Sequence, residues 1–301
     1  MIYTVTLNPS LDYTMYPTSL TIGETNRSER ESICVGGKGI NVSIVLNNLH
    51  KESVAMGFTA GFVGKAITEE LSRLGVRSDF ITLSAGNSRI NVKLKGECET
   101  EINGNGPVIC ESDVGKLCQK LDSISDGDTL VLAGSIPKSL PKDTYEKILE
   151  GLSGKDILFV VDACGEILLN TLKYHPFLVK PNKAELSEIC GRVLKTDDDI
   201  VSAAKELQKK GARNVLVSLG GDGSLLLDEK SAVHRRYGIS GEVINTVGSG
   251  DSMVAGFICG YLDGFDFDGA LNLATACGTA TAFSELLADE MSIRAIMEKI
   301  G

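Results

Sequence analysis

The chain has 301 residues, of which 43% are hydrophobic and 23% charged, and a formal net charge of −10. That length supplies ample core for one large domain or two smaller ones, and the acidic balance argues against a general nucleic-acid or anionic-membrane surface. A phosphorylated small molecule would need a local basic pocket, so isolated Lys and Arg residues beside glycines carry weight.

The opening "MIYTVTLNPSLDY" has no basic leader and meets Asp12 early, so a signal peptide is not expected and a cytoplasmic protein is. Within it "IYTVTLN" is predicted to be a strand. Residues 12–35, including "TIGETNRSERESICV", are polar and weakly helical in pattern. "GINVSIVLNNL" then has helical spacing, "SVAMGFT" is predicted to be a strand and "KAITEELSRLG" a helix with a glycine stop. Residues 87–103, "NSRINVKLKGECETEIN", alternate around Gly96, which suits a hairpin with one solvated face. The strands "DTLVLAG", "DILFVVDA", "FLVK" and "RNVLVSL" follow, separated by the helical patterns "KDTYEKILEGL", "GEILLNTL", "KAELSEIC" and "IVSAAKELQKKG". Continuous apolar strands alternating with amphipathic helices point to an α/β fold, a mainly parallel sheet covered on both faces. The two β-like insertions would form a small second sheet, either a flap over a site or a plain edge hairpin. The longest apolar run, Met253 to Leu262, is too short to span a bilayer.

The eight cysteines form no C-x-x-C pair and read as reduced, mostly buried residues. The three histidines, His50, His175 and His234, have no metal-ligand spacing, so zinc and a Ser/His/Asp triad are both disfavoured.

Three glycine-rich clusters stand at positions predicted to join strand to helix: "GGKGIN" (36–41), "SLGGDGS" (218–224) and "VGSGD" (247–251). G-x-G-x-x-G would need glycine at Val42, Leu226 or Met253, and no Ser or Thr follows a Gly-Lys pair, so dinucleotide and P-loop fingerprints both fail. In the first cluster Lys38 and Asn41 supply a charge and an amide beside glycines that admit a ligand. The third cluster either caps a helix through Ser249 or Asp251, or offers its amides to an anion. In "KPNKAEL", Asn182 and Glu185 share one helix face, suited to a hydrated Mg²⁺ or to a simple capping Glu. Taken singly, each cluster favours the structural alternative.

Together, "TLNPSLD", "GGKGIN", "AGSIPKSLP", "KPNKAEL", "VSLGGDG" and "NTVGSGDSMVAGF" stand in the order found in the ribokinase-like (PfkB-type) sugar kinases, and the chain resembles that family over essentially its whole length. The resemblance implies one α/β domain, residues 1–301, with a β lid from segments near 12–35 and 87–103. It implies Asp251 as catalytic base and the amides of Gly248, Ser249 and Gly250 as an anion hole. It places Asp12, Gly36, Gly37, Lys38, Asn41 and Arg89 at the sugar phosphate, with Arg27 a weaker candidate. Lys180, Asn182 and the loop residues Ser218, Gly220, Gly221, Asp222 and Gly223 would meet ATP, with Asn182 and Glu185 toward Mg²⁺. Asn272 and Ala276 would border the adenine. Ser249 departs from the alanine common between the two glycines, which leaves the amides available, and Val35 stands where relatives carry a smaller residue or proline.

The opening segment and "RINVKL" are most similar to the branch that phosphorylates fructose 1-phosphate, so transfer from Mg·ATP to its 6-hydroxyl is expected. Tagatose 6-phosphate is the alternative substrate, because both sugars carry one phosphate and one free hydroxymethyl arm. A homodimer through the lid is also implied. A non-catalytic sugar-phosphate sensor on the same scaffold is the rival from another class, and the failed fingerprints disfavour a third reading, a nicotinamide oxidoreductase.

Overall fold

The computed structural model describes residues 1–96 and 99–300. The predicted alternation of strand and helix is realised. In chain order the strands are β1 (Ile2–Thr6), β2 (Ser10–Pro17), β3 (Ser28–Gly36), β4 (Ser53–Ala60), β5 (Arg77–Ser78), β6 (Ile81–Leu83), β7 (Arg89–Lys95), β8 (Glu99–Asn103), β9 (Thr129–Ala133), β10 (Leu158–Asp162), β11 (Leu178–Val179), β12 (Asn214–Ser218), β13 (Gly223–Leu227) and β14 (Val233–Tyr237). The helices are α1 (Lys38–Asn48), α2 (Gly61–Arg73), α3 (Glu111–Leu121), α4 (Thr144–Leu152), α5 (Gly165–Thr171), α6 (Lys183–Cys190), α7 (Asp197–Lys209), α8 (Ser249–Leu262), α9 (Phe267–Ala282) and α10 (Glu290–Ile300).

The large sheet runs β14-β13-β12-β11-β10-β9-β1-β4-β5, with β6 also pairing with β4. It is parallel from β5 to β12, and β13 and β14 add an antiparallel edge. Its central strands are buried on both faces, which is why they are continuous Val, Ile and Leu runs rather than alternating ones. One face packs on α3 to α7 through Leu117, Tyr145, Leu168, Leu186 and Ile200. The other packs on α1, α8, α9 and α10 through Val45, Val254, Leu271 and Ile293. In such sheets the ligand crevice lies beyond the carboxyl ends of the strands. Here those ends deliver Thr6, Ala133, Asp162, Val179 and Ser218 to one rim.

A second sheet, in the order β3-β2-β7-β8, stands over that rim. It is built from the two predicted insertions, but two expectations change. Residues 12–35 are not helical: Leu11, Tyr13 and Met15 alternate with Asp12 and Thr14 along β2, and this period of two selects a strand. The hairpin does not turn its polar face to solvent. Register places Asp12 beside Asn91 and Thr14 beside Lys93, and Asp12, Asn91 and Lys93 are only 8%, 6% and 7% exposed. The apolar face is the open one, with Ile33 64%, Ile90 41% and Ile102 61% exposed. The tip of the hairpin falls partly on Glu97 and Cys98, outside the described residues.

The cluster at 218–224 is also not a strand-to-helix junction. After β12 a short 3₁₀ turn at Gly220–Asp222 leads directly into β13, and Gly223 takes a φ of 97°, which a side chain would oppose.

Candidate active site

α8 is apolar around its whole circumference and lies buried among α1, α9 and the sheet, so its position is fixed by packing on every side. Its first turn opens into the crevice. Gly248 is the N-cap in a left-handed conformation (φ 82°), and no side chain caps the helix. Neither Ser249 nor Asp251 takes the capping role that the sequence allowed, and the Ser249 hydroxyl has no partner. Uncapped N-terminal amides with the positive end of the helix dipole form an anion site.

Asp251, in that first turn, is 6% exposed. Asn41, in the first turn of α1, donates from Nδ2 to Asp251 Oδ2 at 2.8 Å. Burial, followed by the neighbouring charge of Asp162, pushes the Asp251 carboxyl up to about 7, against the opposing pull of Lys38, Asn41 and Lys180. A buried carboxyl raised into the neutral range can act as a general base near physiological pH.

Asp162 was not singled out from the sequence, although it ends β10 at the crevice and is 1% exposed. Lys38 Nζ lies 3.0 Å from its Oδ1 and Lys180 Nζ 3.7 Å from its Oδ2. Burial would raise Asp162, yet Lys180 and Lys38 together hold it below the ordinary carboxylate value. Burial pulls Lys38 down, but Asp162 and Asp251 carry it well above the usual lysine range. The only signal for Asp162 in the sequence was a carboxylate at the end of an apolar strand.

A cavity of about 750 Å³ joins Asp251, Asn41, Lys38 and Lys180. One end is walled by Ser10, Asp12, Arg89 and Asn91 from the small sheet, with Gly37, Lys38 and Asn41 below them. The other end is walled by Asn182, Glu185, Ser218, Gly220, Gly221, Gly223 and the 238–247 segment, with Thr275, Gly278, Thr279, Ala282 and Phe283 of α9 and its C-terminal cap. Gly248, Ser249, Gly250, Asp251 and Lys180 line it as well. A smaller cavity of about 280 Å³ shares Gly37, Lys38 and Arg89 and adds Asn8, Gly134, Ser135 and Cys164. Arg89 donates from Nε to the Asn8 carbonyl at 3.0 Å. Burial lowers its pKa, with Asp12 opposing.

Several expected positions shift. Gly36 supports rather than lines the cavity: a Cβ there would come 2.6 Å from Ser10 Oγ and 2.7 Å from Asp12 Oδ1. Asp222 is outside the lining, because the turn presents Gly220, Gly221 and Gly223 instead. Ala276 is 0% exposed within the helix layer, and Asn272 accepts a hydrogen bond from Arg236 Nε. The face of α9 toward the cavity is the 275, 278–279, 282 stripe, one helical step away. Arg27 is exposed on the small sheet's connecting loop and does not line the cavity. Asn182 and Glu185 make a reciprocal capping box, Asn182 Oδ1 accepting from Glu185 N–H at 2.9 Å and Glu185 Oε2 from Asn182 N–H at 2.8 Å. The capping alternative is therefore real, and both residues still face the cavity.

Residues 5–293 match the model of the pfkB family carbohydrate kinases. The 1-phosphofructokinase of Bacillus subtilis is 43% identical over 300 residues, covering 100% of this chain and 98% of that one. The D-tagatose-1-phosphate kinase of Bacillus licheniformis is 36% identical over 290 residues, covering 96% and 95%. Among solved structures, phosphofructokinase-2 from Escherichia coli in complex with fructose-6-phosphate superimposes with a TM-score of 0.92 at 26% identity, covering 99% of this chain and 98% of that one. A raised, buried carboxyl beside free helix amides thus sits in a chain with full-length kinase relatives, and the protein belongs to the pfkB family of carbohydrate kinases.

Proposed function

We propose that this kinase transfers the γ-phosphoryl group of ATP to the 6-hydroxyl of fructose 1-phosphate, giving fructose 1,6-bisphosphate and ADP. The observation that carries the reading is Asp251, a buried carboxyl raised to about 7 at the uncapped start of α8, midway between two unlike walls. The wall from the small sheet is rich in hydroxyl, amide, carboxylate and guanidinium groups and suits a phosphorylated sugar. The far wall of glycines, Thr275, Thr279 and Phe283 suits a nucleotide. Residues 1–301 then act as one domain, with the small sheet as its lid. Relatives named for fructose 1-phosphate and tagatose 1-phosphate favour a substrate phosphorylated at carbon 1.

In this mechanism Asp251 accepts the proton of the 6-hydroxyl as its oxygen attacks the γ-phosphorus. The bond from that phosphorus to the ADP oxygen breaks, and ADP leaves with the electron pair. Asn41 holds Asp251 in place, and the amides of Gly248 to Gly250 stabilise the charge on the transferring group. Lys180 approaches the same turn, since a Cβ on Gly250 would lie 2.9 Å from its Nζ. Lys38 and Arg89 neutralise the phosphate already on the sugar.

Among the described residues no cluster of three or more acidic, His or Cys side chains could cage a metal ion. Hydrated Mg²⁺ needs less, one or two carboxylates plus phosphate oxygens. Glu185 on the cavity wall fits that requirement. When bound, Mg²⁺ would offset charge on the ATP phosphates.

The exposed apolar face of the small sheet supports a homodimer through the lid. Ile33→Lys is expected to shift the mass measured by light scattering to that of a monomer, and an unchanged mass would place the contact elsewhere. The substrate assignment is tested by ATP turnover with fructose 1-phosphate, tagatose 1-phosphate, tagatose 6-phosphate and fructose 6-phosphate. Fructose 1-phosphate should show the highest kcat/KM, and binding without turnover would make the protein a sensor instead.

A further inference from the structure

Among the described residues Asp12 is the one carboxylate on the lid-side wall of the cavity, and its own sheet holds it on both oxygens. Its Oδ1 accepts from Ser10 Oγ at 2.7 Å and from Asn91 Nδ2 at 2.9 Å. Its Oδ2 faces Lys93 Nζ at 3.0 Å. A carboxylate offers about four lone-pair sites; the two hydrogen bonds both fall on Oδ1, and Oδ2, held by the Lys93 charge, is left able to accept. Lys93 is 7% exposed, two residues along β7 from Asn91, and it does not line the cavity. Its partner is Asp12, and no other acidic side chain lies within ion-pair distance of it among the described residues.

From this arrangement we infer that Lys93 is a positioning residue for sugar recognition. It fixes the Asp12 carboxylate so that Oδ2 accepts a ring hydroxyl of the acceptor sugar. A basic residue on the inner face of a lid invites assignment to the substrate phosphate, but Lys93 lies behind Asp12 and does not line the cavity. The phosphate is left to Arg89 and Lys38, which do line it. The two halves of sugar recognition then separate by residue: Arg89 reads the phosphate, and the Lys93–Asp12 pair reads a hydroxyl. This division rests on the substrate proposed above.

The experiment compares wild type, Lys93→Met, Lys93→Gln, Asp12→Asn and the Lys93→Met/Asp12→Asn double variant. Each is assayed with fructose 1-phosphate, its 3-deoxy and 4-deoxy analogues, and unphosphorylated fructose. Wild type should prefer fructose 1-phosphate over one deoxy analogue by about 10- to 100-fold, the range of one well-placed hydrogen bond in a buried site. Lys93→Met should raise KM for the sugar more than it lowers kcat, leave KM for ATP unchanged and collapse that preference. The double variant should be no worse than Asp12→Asn alone, because the two residues act as one unit. Should Lys93→Met fail to fold, Lys93→Gln retains a donor, and the double variant removes the uncompensated buried charge.

Three results overturn the inference: a wild type indifferent to both deoxy analogues, a Lys93→Met that keeps the preference, or one that loses selectivity for phosphorylated over plain fructose instead. A wild type inactive on fructose 1-phosphate refutes the substrate reading alone. The same variants are then assayed, with the matching deoxy analogues, on whichever ketohexose phosphate is turned over.

Discussion

The sharpest test of the proposed chemistry is the pH dependence of Asp251. A carboxyl titrating at about 7 is ionised to only ~1% at pH 5 and ~10% at pH 6, with ~90% reached by pH 8. If the ionised form is the base, kcat/KM should climb about tenfold per pH unit below 7 and level off above it, so activity at pH 5 lies ~100-fold under the plateau. The sugar phosphate also titrates near ~6, and the ratio of wild type to Asp251→Asn at each pH cancels that contribution. The Asn variant keeps the size of the side chain, and its kcat at pH 8 should fall by ~10²–10⁴-fold, the usual range for a general base. Lys38 holds the Asp251 carboxyl down, so Lys38→Met should move the limb to higher pH. The assay couples ADP release to a spectrophotometric readout from pH 5 to 9, with ATP and sugar varied in turn. A wild-type-to-Asn ratio that stays flat across that range would remove Asp251 from proton transfer.

Other perturbations separate the parts of the site. Gly250→Ala places a Cβ 2.9 Å from Lys180 Nζ. It should cut kcat/KM for ATP by about 10- to 100-fold while stability measured by denaturant titration stays within ~1 kcal/mol, since alanine favours the helix. Arg89→Lys and, more severely, Arg89→Ala should shrink the ratio of kcat/KM for fructose 1-phosphate to that for fructose, with Tm and KM for ATP nearly unchanged, because lysine cannot reproduce a planar fork. An unchanged ratio would place the phosphate elsewhere. His234 is held between Asp228 and Asp268 at 3.1 and 2.9 Å. Burial lowers its pKa, but the two hydrogen bonds and charges raise it overall. Its stabilisation is therefore full below the unfolded value of ~6.5 and lost as pH rises through the folded one. Tm should fall by a few degrees between pH 6 and 9, and His234→Gln should flatten that fall.

The sequence by itself marked most strands of the central parallel sheet and the helices between them. Helical spacing in "GINVSIVLNNL" and "IVSAAKELQKKG" and continuous β-branched runs in "DTLVLAG" and "DILFVVDA" are local patterns, and local patterns are set by which face of each element is buried. Most of the named cavity residues were legible only through the order of six motifs shared with a kinase family, since each glycine cluster taken singly fits a plain turn or cap as well. The tertiary structure decided what those patterns could not carry. Lys38, Asp162 and Lys180 meet only because three distant chain segments end at one rim. α9 is buried nearly all round, so no periodicity told Asn272 and Ala276 from the 275, 278–279, 282 stripe that faces the cavity. A glycine-rich turn fits a following strand as well as a following helix, and only pairing with β13 settled the 218–224 segment. The small sheet shows the limit most clearly: alternation along "RINVKL" establishes two faces, but a polar face goes inward only if something polar waits there. Asp12 was that partner, 81 residues from Lys93 in the chain and 3.0 Å from it in the fold, a proximity that no spacing in the sequence encodes.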